Sequence, residues 1–333
     1  MKKILFISLL SAFISCNNTN ESVFILEGKS NNIPNETWLY LKDTGNDVIL
    51  DSVRVTENIF QFKTKIDSLP IRVIIHDKSY KNYNFLWLDE YHMTLDASNS
   101  NFKDAVISGD LNKLSHQLAN SLKEKSRKER LKIEQKFVEN NPSSIISASI
   151  LSTYKTTFNK ANVRQLYHNF SQKNKTSIYG KSVAQFLELN KGEINIGDSY
   201  VDFEMRDVNG NLLQFSKFKN KYILLEFWAS NCGPCRIENS NLIKTYNTFK
   251  PRGFEIFAVS EDIKKENWLK AIKKDKLPWI HVSDLSKNNR ASMIYGISGI
   301  PDNFLIDNKG IIVARNLRGE KLNKKLSELF TIN

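Results

Sequence analysis

Residues Lys221–Trp228 read KYILLEFW, a near-continuous apolar run, and four residues later the chain places Cys232-Gly233-Pro234-Cys235. Unbroken apolar character over this length is what a strand buried on both faces requires. Beyond the cysteines, Leu242, Ile243, Tyr246 and Phe249 recur at helical spacing. A cysteine pair between a buried strand and a helix fixes an α/β arrangement locally and puts thiol chemistry at the helix start. Unpaired N–H groups and a partial positive charge there stabilise a thiolate at Cys232. The thiolate is the species that attacks a disulfide, so Cys232 is the expected nucleophile, and Cys235, one turn in, is expected to resolve the mixed disulfide. Pro234 suits a first turn, where its missing N–H costs nothing.

Strands and helices continue to alternate from Ile194 onward. FEIFAVS at 254–260 reads as a second buried strand, and Trp268, Ala271 and Ile272 line a second helix. Asn303–Ile306 and Gly310–Ala314 flank Asp307-Asn308-Lys309 as a hairpin, and Leu322–Phe330 closes the order β-α-β-α-β-β as a last helix. Zinc is the rival chemistry for a CxxC. A closed zinc site needs four ligands, whereas no second CxxC or CxxH occurs and His281 is the single histidine after residue 193. Peroxide reduction is a second rival. Thiol peroxidases of this kind carry Thr or Ser three residues before the reactive cysteine, where this chain has Ala229.

The amino-terminal region reads differently. MKKILFISLLSAFIS at 1–15 has the layout of a signal peptide, its apolar run too short for a stable membrane span, and Cys16 comes directly after it. A tether at 16–22 leads to a β-rich stretch, residues 23–109. Its runs VFILEG, TWLYLK, VILDSVRV, IFQFKTKI, IRVIIHD and YNFLWLD are separated by turn formers. They predict an antiparallel sandwich or barrel-like module, in which His76 and His92 show no metal-ligand pattern. Residues 110–192 change to helical spacing, with Leu111, Leu114, Leu118 and Leu122 three or four apart, and read as an α-helical connector before a catalytic domain at 193–333. Asn140-Asn141-Pro142 breaks one of its helices.

Charge excludes less than it first promises. The net +12 permits a nucleic-acid partner, yet the connector alone holds fifteen bases against six acids, and Glu124, Glu129 and Glu134 interleave its basic run. That pattern describes a solvated helix face, and no nucleic-acid partner is expected.

The segment EFWASNCGPCRIEN, with Gly299-Ile300-Pro301 downstream, resembles the thioredoxin superfamily, and specifically the TlpA-like thiol–disulfide oxidoreductases. The β-rich segment and connector resemble the DUF4369-type domain found before such modules in Bacteroidetes lipoproteins. This resemblance implies an α/β thioredoxin-like fold for the C-terminal domain, in which Cys232 attacks and Cys235 resolves. It implies that Pro301 is a cis-proline beside the disulfide, whose preceding backbone pairs with the substrate chain. Glu226 takes the place of the buried acid that assists proton transfer, and burial of a carboxylate in an apolar strand should raise its pKa. Glu238 matches an acidic position near the disulfide. The departures Asn231 and Asp302-Asn303 are expected on the substrate-facing rim. Cys16 is implied as a lipidated residue, which gives an exported, envelope-facing chain tethered to the membrane. The expected partners are protein disulfides and an upstream envelope thiol donor, with no cofactor beyond the Cys232–Cys235 disulfide. CGPC resembles the motif of reducing thioredoxins and favours a reductase. A peptide-binding scaffold lipoprotein of the same fold is the alternative from a different functional class.

Overall fold

The computed structural model describes residues 23–331, so the signal-peptide reading and Cys16 lie outside the described residues. Two compact units emerge, one through Glu124 and one from Lys125.

The first unit contains β1 (Val23–Ser30), β2 (Trp38–Asp43), β3 (Val48–Arg54), β4 (Ile59–Lys65), β5 (Ile71–Asp77), β6 (Tyr83–Leu88), β7 (His92–Ala97), β8 (Val106–Ile107) and helix α1 (Asp110–Leu122). They form two four-stranded sheets, ordered β4-β1-β7-β8 and β3-β2-β5-β6. Period-two alternation explains the sheets: in β1, Phe24, Leu26, Gly28 and Ser30 face in and Lys29 faces out. Leu26, Leu39, Leu41, Phe62, Val73 and Ile75 belong to one buried cluster. Pairing is antiparallel except that β1 and β7 run parallel. Gly28 lies opposite Phe60 in the β1–β4 ladder, and a Cβ at Gly28 would fall 2.0 Å from the Phe60 ring. His76 is buried and stacks on Tyr80 at 3.9 Å, whereas the exposed His92 lies 3.5 Å from Glu27.

The stretch expected to act as a connector is shared between the units. Helix α1 stays with the sandwich because Asn112 bonds both the Trp87 N–H, at 2.9 Å, and the Trp87 carbonyl, at 2.8 Å. Helices α2 (Arg127–Asn140), α3 (Ile145–Tyr154), α4 (Lys160–His168), α5 (Gln172–Thr176) and α6 (Ile178–Leu189) belong to the second unit. Side chains tie α6 to distant residues of the same unit: Ser182 bonds Asn288 at 2.6 Å, and Asn190 bonds the Met293 and Ile294 carbonyls.

The rest of this unit is β9 (Glu204–Asp207), β10 (Leu212–Gln214), β11 (Tyr222–Trp228), α7 (Gly233–Phe249), β12 (Phe254–Ser260), α8 (Lys265–Asp275), β13 (Ile280–Ser283), α9 (Arg290–Tyr295), β14 (Asp302–Ile306), β15 (Ile312–Arg315) and α10 (Glu320–Thr331). Its seven-stranded sheet has the order β10-β9-β13-β12-β11-β14-β15, with β11, β12 and β13 parallel and β14 antiparallel to β11. Every residue of β11 and of β12 is buried, as their unbroken apolar runs require. One face packs Leu224, Trp228 and Ile256 against α7 and α10, and the other packs Leu225, Phe227 and Phe257 against α9. Each such fully buried aliphatic or aromatic side chain stabilises the fold by about 1.5–3 kcal/mol.

Candidate active site

The carboxyl end of β11 delivers the chain into Ala229-Ser230-Asn231 and then the start of α7. Cys232 is the N-cap residue of α7, and its Sγ accepts the Cys235 N–H at 3.2 Å. Cys232 and Cys235 form a disulfide with Cα atoms 5.3 Å apart, a spacing within the ordinary disulfide range. Cys232 is half-buried whereas Cys235 is 1% exposed, so one sulfur is reachable and the other is enclosed. Once the bond is reduced, the same N–H and the helix dipole favour negative charge on Cys232.

The loop before Cys232 is braced from below. Asp262 accepts the Ser230 N–H at 2.8 Å, and Arg236 donates to the Ser230 carbonyl at 2.8 Å. Arg236 is itself held by Asp275, to which Asn239 also donates at 2.8 Å. Sequence reasoning passed over Asp262, Arg236 and Asp275. The only signal for them was a basic residue directly after the second cysteine.

Glu226 lies in β11, paired in register with Ala258 on one side and Asn303 on the other. It shares its face of the strand with Leu224 and Trp228, the face whose cluster contains Cys235. It is 3% exposed, and one carboxylate oxygen has no hydrogen-bond partner. Burial pushes its pKa up to about 8, with the Asn303 side chain and Arg318 pulling the other way and the charges of Glu238 and Asp302 adding to the rise. The expected direction of shift and its expected cause are both present.

The Ile300–Pro301 peptide bond is cis. Asp302, the next residue, pairs with Phe227 of β11, so Pro301 sits beside the end of the strand that leads to the cysteines. Glu238, on the first turns of α7, accepts the Gly319 N–H at 2.8 Å and the Asn241 amide at 2.9 Å, which straps α7 to the loop before α10.

Asp302 and Asn303 depart from the expectation of a substrate-facing rim. They are 7% and 1% exposed. Asp302 pairs with Arg315 at 2.7 Å, and Asn303 bonds the Leu317 N–H and carbonyl at 2.9 and 2.8 Å. As consecutive strand residues they point to opposite faces of β14, and each is enclosed by a partner that the chain supplies only after it folds back through β15. Asn231 does stand exposed. His281 is buried between the Trp228 and Trp279 rings, and burial pushes its pKa down to about 3, so it stays neutral. Among the described residues no three His, Cys, Asp or Glu side chains form a metal-binding group.

Comparison with known proteins agrees with this geometry. Residues 196–315 match the AhpC/TSA family, and residues 24–113 match a domain of unknown function, DUF4369. The chain is 29% identical over 139 residues to the thiol–disulfide oxidoreductase ResA of Bacillus thuringiensis, covering 41% of this chain and 77% of the relative. The thioredoxin domain of a thiol–disulfide oxidoreductase from Bacteroides vulgatus is 37% identical, with 41% of this chain and 99% of that one covered and a TM-score of 0.39. The C-terminal domain has a thioredoxin-like fold, and the relatives that it matches over most of their length are thiol–disulfide oxidoreductases. Human nucleoredoxin shares 33% identity over 119 residues, covering 34% of this chain and 27% of its own length. The thioredoxin-like domain thus occupies the C-terminal part of the chain, behind an N-terminal DUF4369 domain.

Proposed function

We propose that this TlpA-like oxidoreductase is an envelope-facing, lipid-anchored reductase of protein disulfides. In its reduced form the Cys232 thiolate attacks one sulfur of a substrate disulfide, and the substrate's other sulfur leaves as a thiolate. Cys235, its proton taken by the Glu226 carboxylate, then attacks Cys232 Sγ. The second substrate thiolate leaves, and the Cys232–Cys235 disulfide remains. Two electrons pass to the substrate, and an upstream thiol donor returns them. The pair itself carries the electrons, so no further cofactor is invoked. Pro301 flanks the site at the end of β11, and the Ile300 backbone before it is the edge against which the substrate chain pairs. Glu238 acts on Glu226 through its charge, which disfavours a second carboxylate nearby.

The observation that carries this reading is the asymmetry of the pair: a reachable sulfur at the helix N-cap and an enclosed one within its first turn, on the same face as a buried acid. The anchored, exported location rests on the MKKILFISLLSAFIS-Cys16 layout. No helix of the described residues is long and apolar enough to cross a membrane. The test is a pair of variants. Cys232→Ser should abolish reduction of an insulin-type disulfide, and Cys235→Ser should accumulate mixed disulfides with substrates. Wild-type turnover by Cys232→Ser overturns the proposal. Metabolic labelling with a fatty acid, lost in Cys16→Ser, tests the anchor.

A further inference from the structure

A cavity of about 280 Å³ opens beside the segment that precedes Pro301. Lys155, Glu261, Lys287, Ser292, Ser298 and Ile300 are among its lining residues, so α3 and its C-terminal turn form one wall and the thioredoxin-like fold forms the other. The Glu261 N–H donates to the Trp228 carbonyl at 2.9 Å, which fixes Glu261 at the carboxyl ends of β11 and β12. Ligands of open α/β sheets gather outside those strand ends. Ser292 donates to the Glu261 carboxylate. Lys155 donates to the Ser152 carbonyl at 2.8 Å. A second cavity, about 440 Å³, shares Thr156 and Ser298 with the first and continues past Gly296 to Lys160 and Arg315. Together they form a track that runs from Lys155 and Glu261 past the shared Thr156 and Ser298 to Lys160 and Arg315.

We propose that this track is the specificity subsite for the polypeptide substrate, and that the cavity between Lys155 and Glu261 accepts an acidic side chain near the target cysteine. The inference rests on the disulfide-exchange reading and adds a substrate class to it. The Lys155 ammonium lines the cavity and donates to the uncharged Ser152 carbonyl, so an aspartate or glutamate side chain entering beside it meets an opposite charge and a lysine a like one. Burial pushes the Lys155 ammonium down and the Glu261 carboxyl up, each shift partly offset by the other group's charge, so both side chains are partly withdrawn from water where they line the cavity. Glu261 already attracts Lys155 through its charge, and an incoming carboxylate adds a direct charge-assisted hydrogen bond to the ammonium.

Disulfide-linked peptides carrying Glu, Gln or Lys at each of about three positions on either side of the cysteine supply the test. With the reduced full chain, reduction of the Glu peptide should exceed that of its Gln twin by roughly fivefold to tenfold at one position or more. That ratio should fall toward one in Lys155→Gln and persist in Lys155→Arg and in the α10 control Lys324→Gln. A second measurement uses the Cys232→Ser, Cys235→Ser chain and anisotropy of the same peptides in reduced, dye-labelled form; binding should show the same preference. A ratio near one at every position in both assays, a preference for Lys, or a ratio that survives Lys155→Gln overturns the subsite. A binding preference without any reduction by wild type keeps the subsite and overturns the disulfide-exchange reading instead.

Discussion

Glu226→Gln is the perturbation that separates a buried functional acid from a strand residue that happens to be polar. Glutamine keeps the shape and cannot ionise. In the native protein burial raises the Glu226 pKa from its ordinary 4.5 to about 8. At about 1.4 kcal/mol per unit this sets a ceiling of about 5 kcal/mol on the stability linked to its proton. The sign comes from the raised value: the native state holds the proton more tightly than the unfolded chain. The contribution is whole below pH 4.5 and is lost as pH rises through about 8, where the native state must carry an unpaired buried charge. The measurement is urea unfolding of the oxidised protein from pH 4 to 9. Fluorescence reports on the second unit through its Trp228, Trp268 and Trp279. The stability of wild type relative to Glu226→Gln should be flat near pH 4, decline between about pH 4.5 and 8, and level off toward pH 9. A difference that stays constant with pH refutes the buried, proton-holding carboxylate and with it the proton-transfer role. If the role is right, Glu226→Gln should also slow the resolving step, seen as longer-lived mixed disulfides in single-turnover experiments.

Three further outcomes are expected. Gly28→Ala places a methyl group against the enclosed Phe60 ring and should destabilise the N-terminal unit by about 1–3 kcal/mol in thermal unfolding; an unchanged midpoint contradicts the close approach. Arg236→Ala removes the donor to the Ser230 carbonyl and leaves Asp275 with Asn239 alone, so disulfide-exchange activity and stability should both fall, the latter by about 1–3 kcal/mol. Ser126→Ala breaks the capping box with Glu129 at the start of α2 and should cost about 1 kcal/mol, measurable in denaturant titrations.

The C-terminal domain was legible wherever an element was long enough to show its period. β11, α7, β12, α8, the β14–β15 hairpin and α10 lie where apolar runs and helical spacing placed them. β13 (IHVS) and α9 (RASMIY) were not assigned, because four and six residues are too few to establish a period. In the N-terminal unit six strands are readable from alternation, yet β7 was missed: HMTLDA mixes polar residues into its pattern, and its place beside β1 is a parallel pairing between distant segments.

The sequence by itself determined the reaction type. A CxxC between a doubly buried strand and a helix is a local pattern, and the helix that Cys232 caps is built from the residues directly after it. Glu226 was readable for the same reason: a lone carboxylate in an otherwise apolar run must be buried with its strand. The surroundings of the pair were decided only by the tertiary structure. Asp262 and Asp275 reach the cysteine loop from segments about 30 to 40 residues away. Asp302 and Asn303 turn inward because Arg315 and Leu317 return beside them. Lys155 meets Glu261 across a cavity because α6 fastens the helical segment to α9. A charged side chain's role depends on what desolvates it and what it can pair with, and in this chain those partners come from distant segments that meet only on folding.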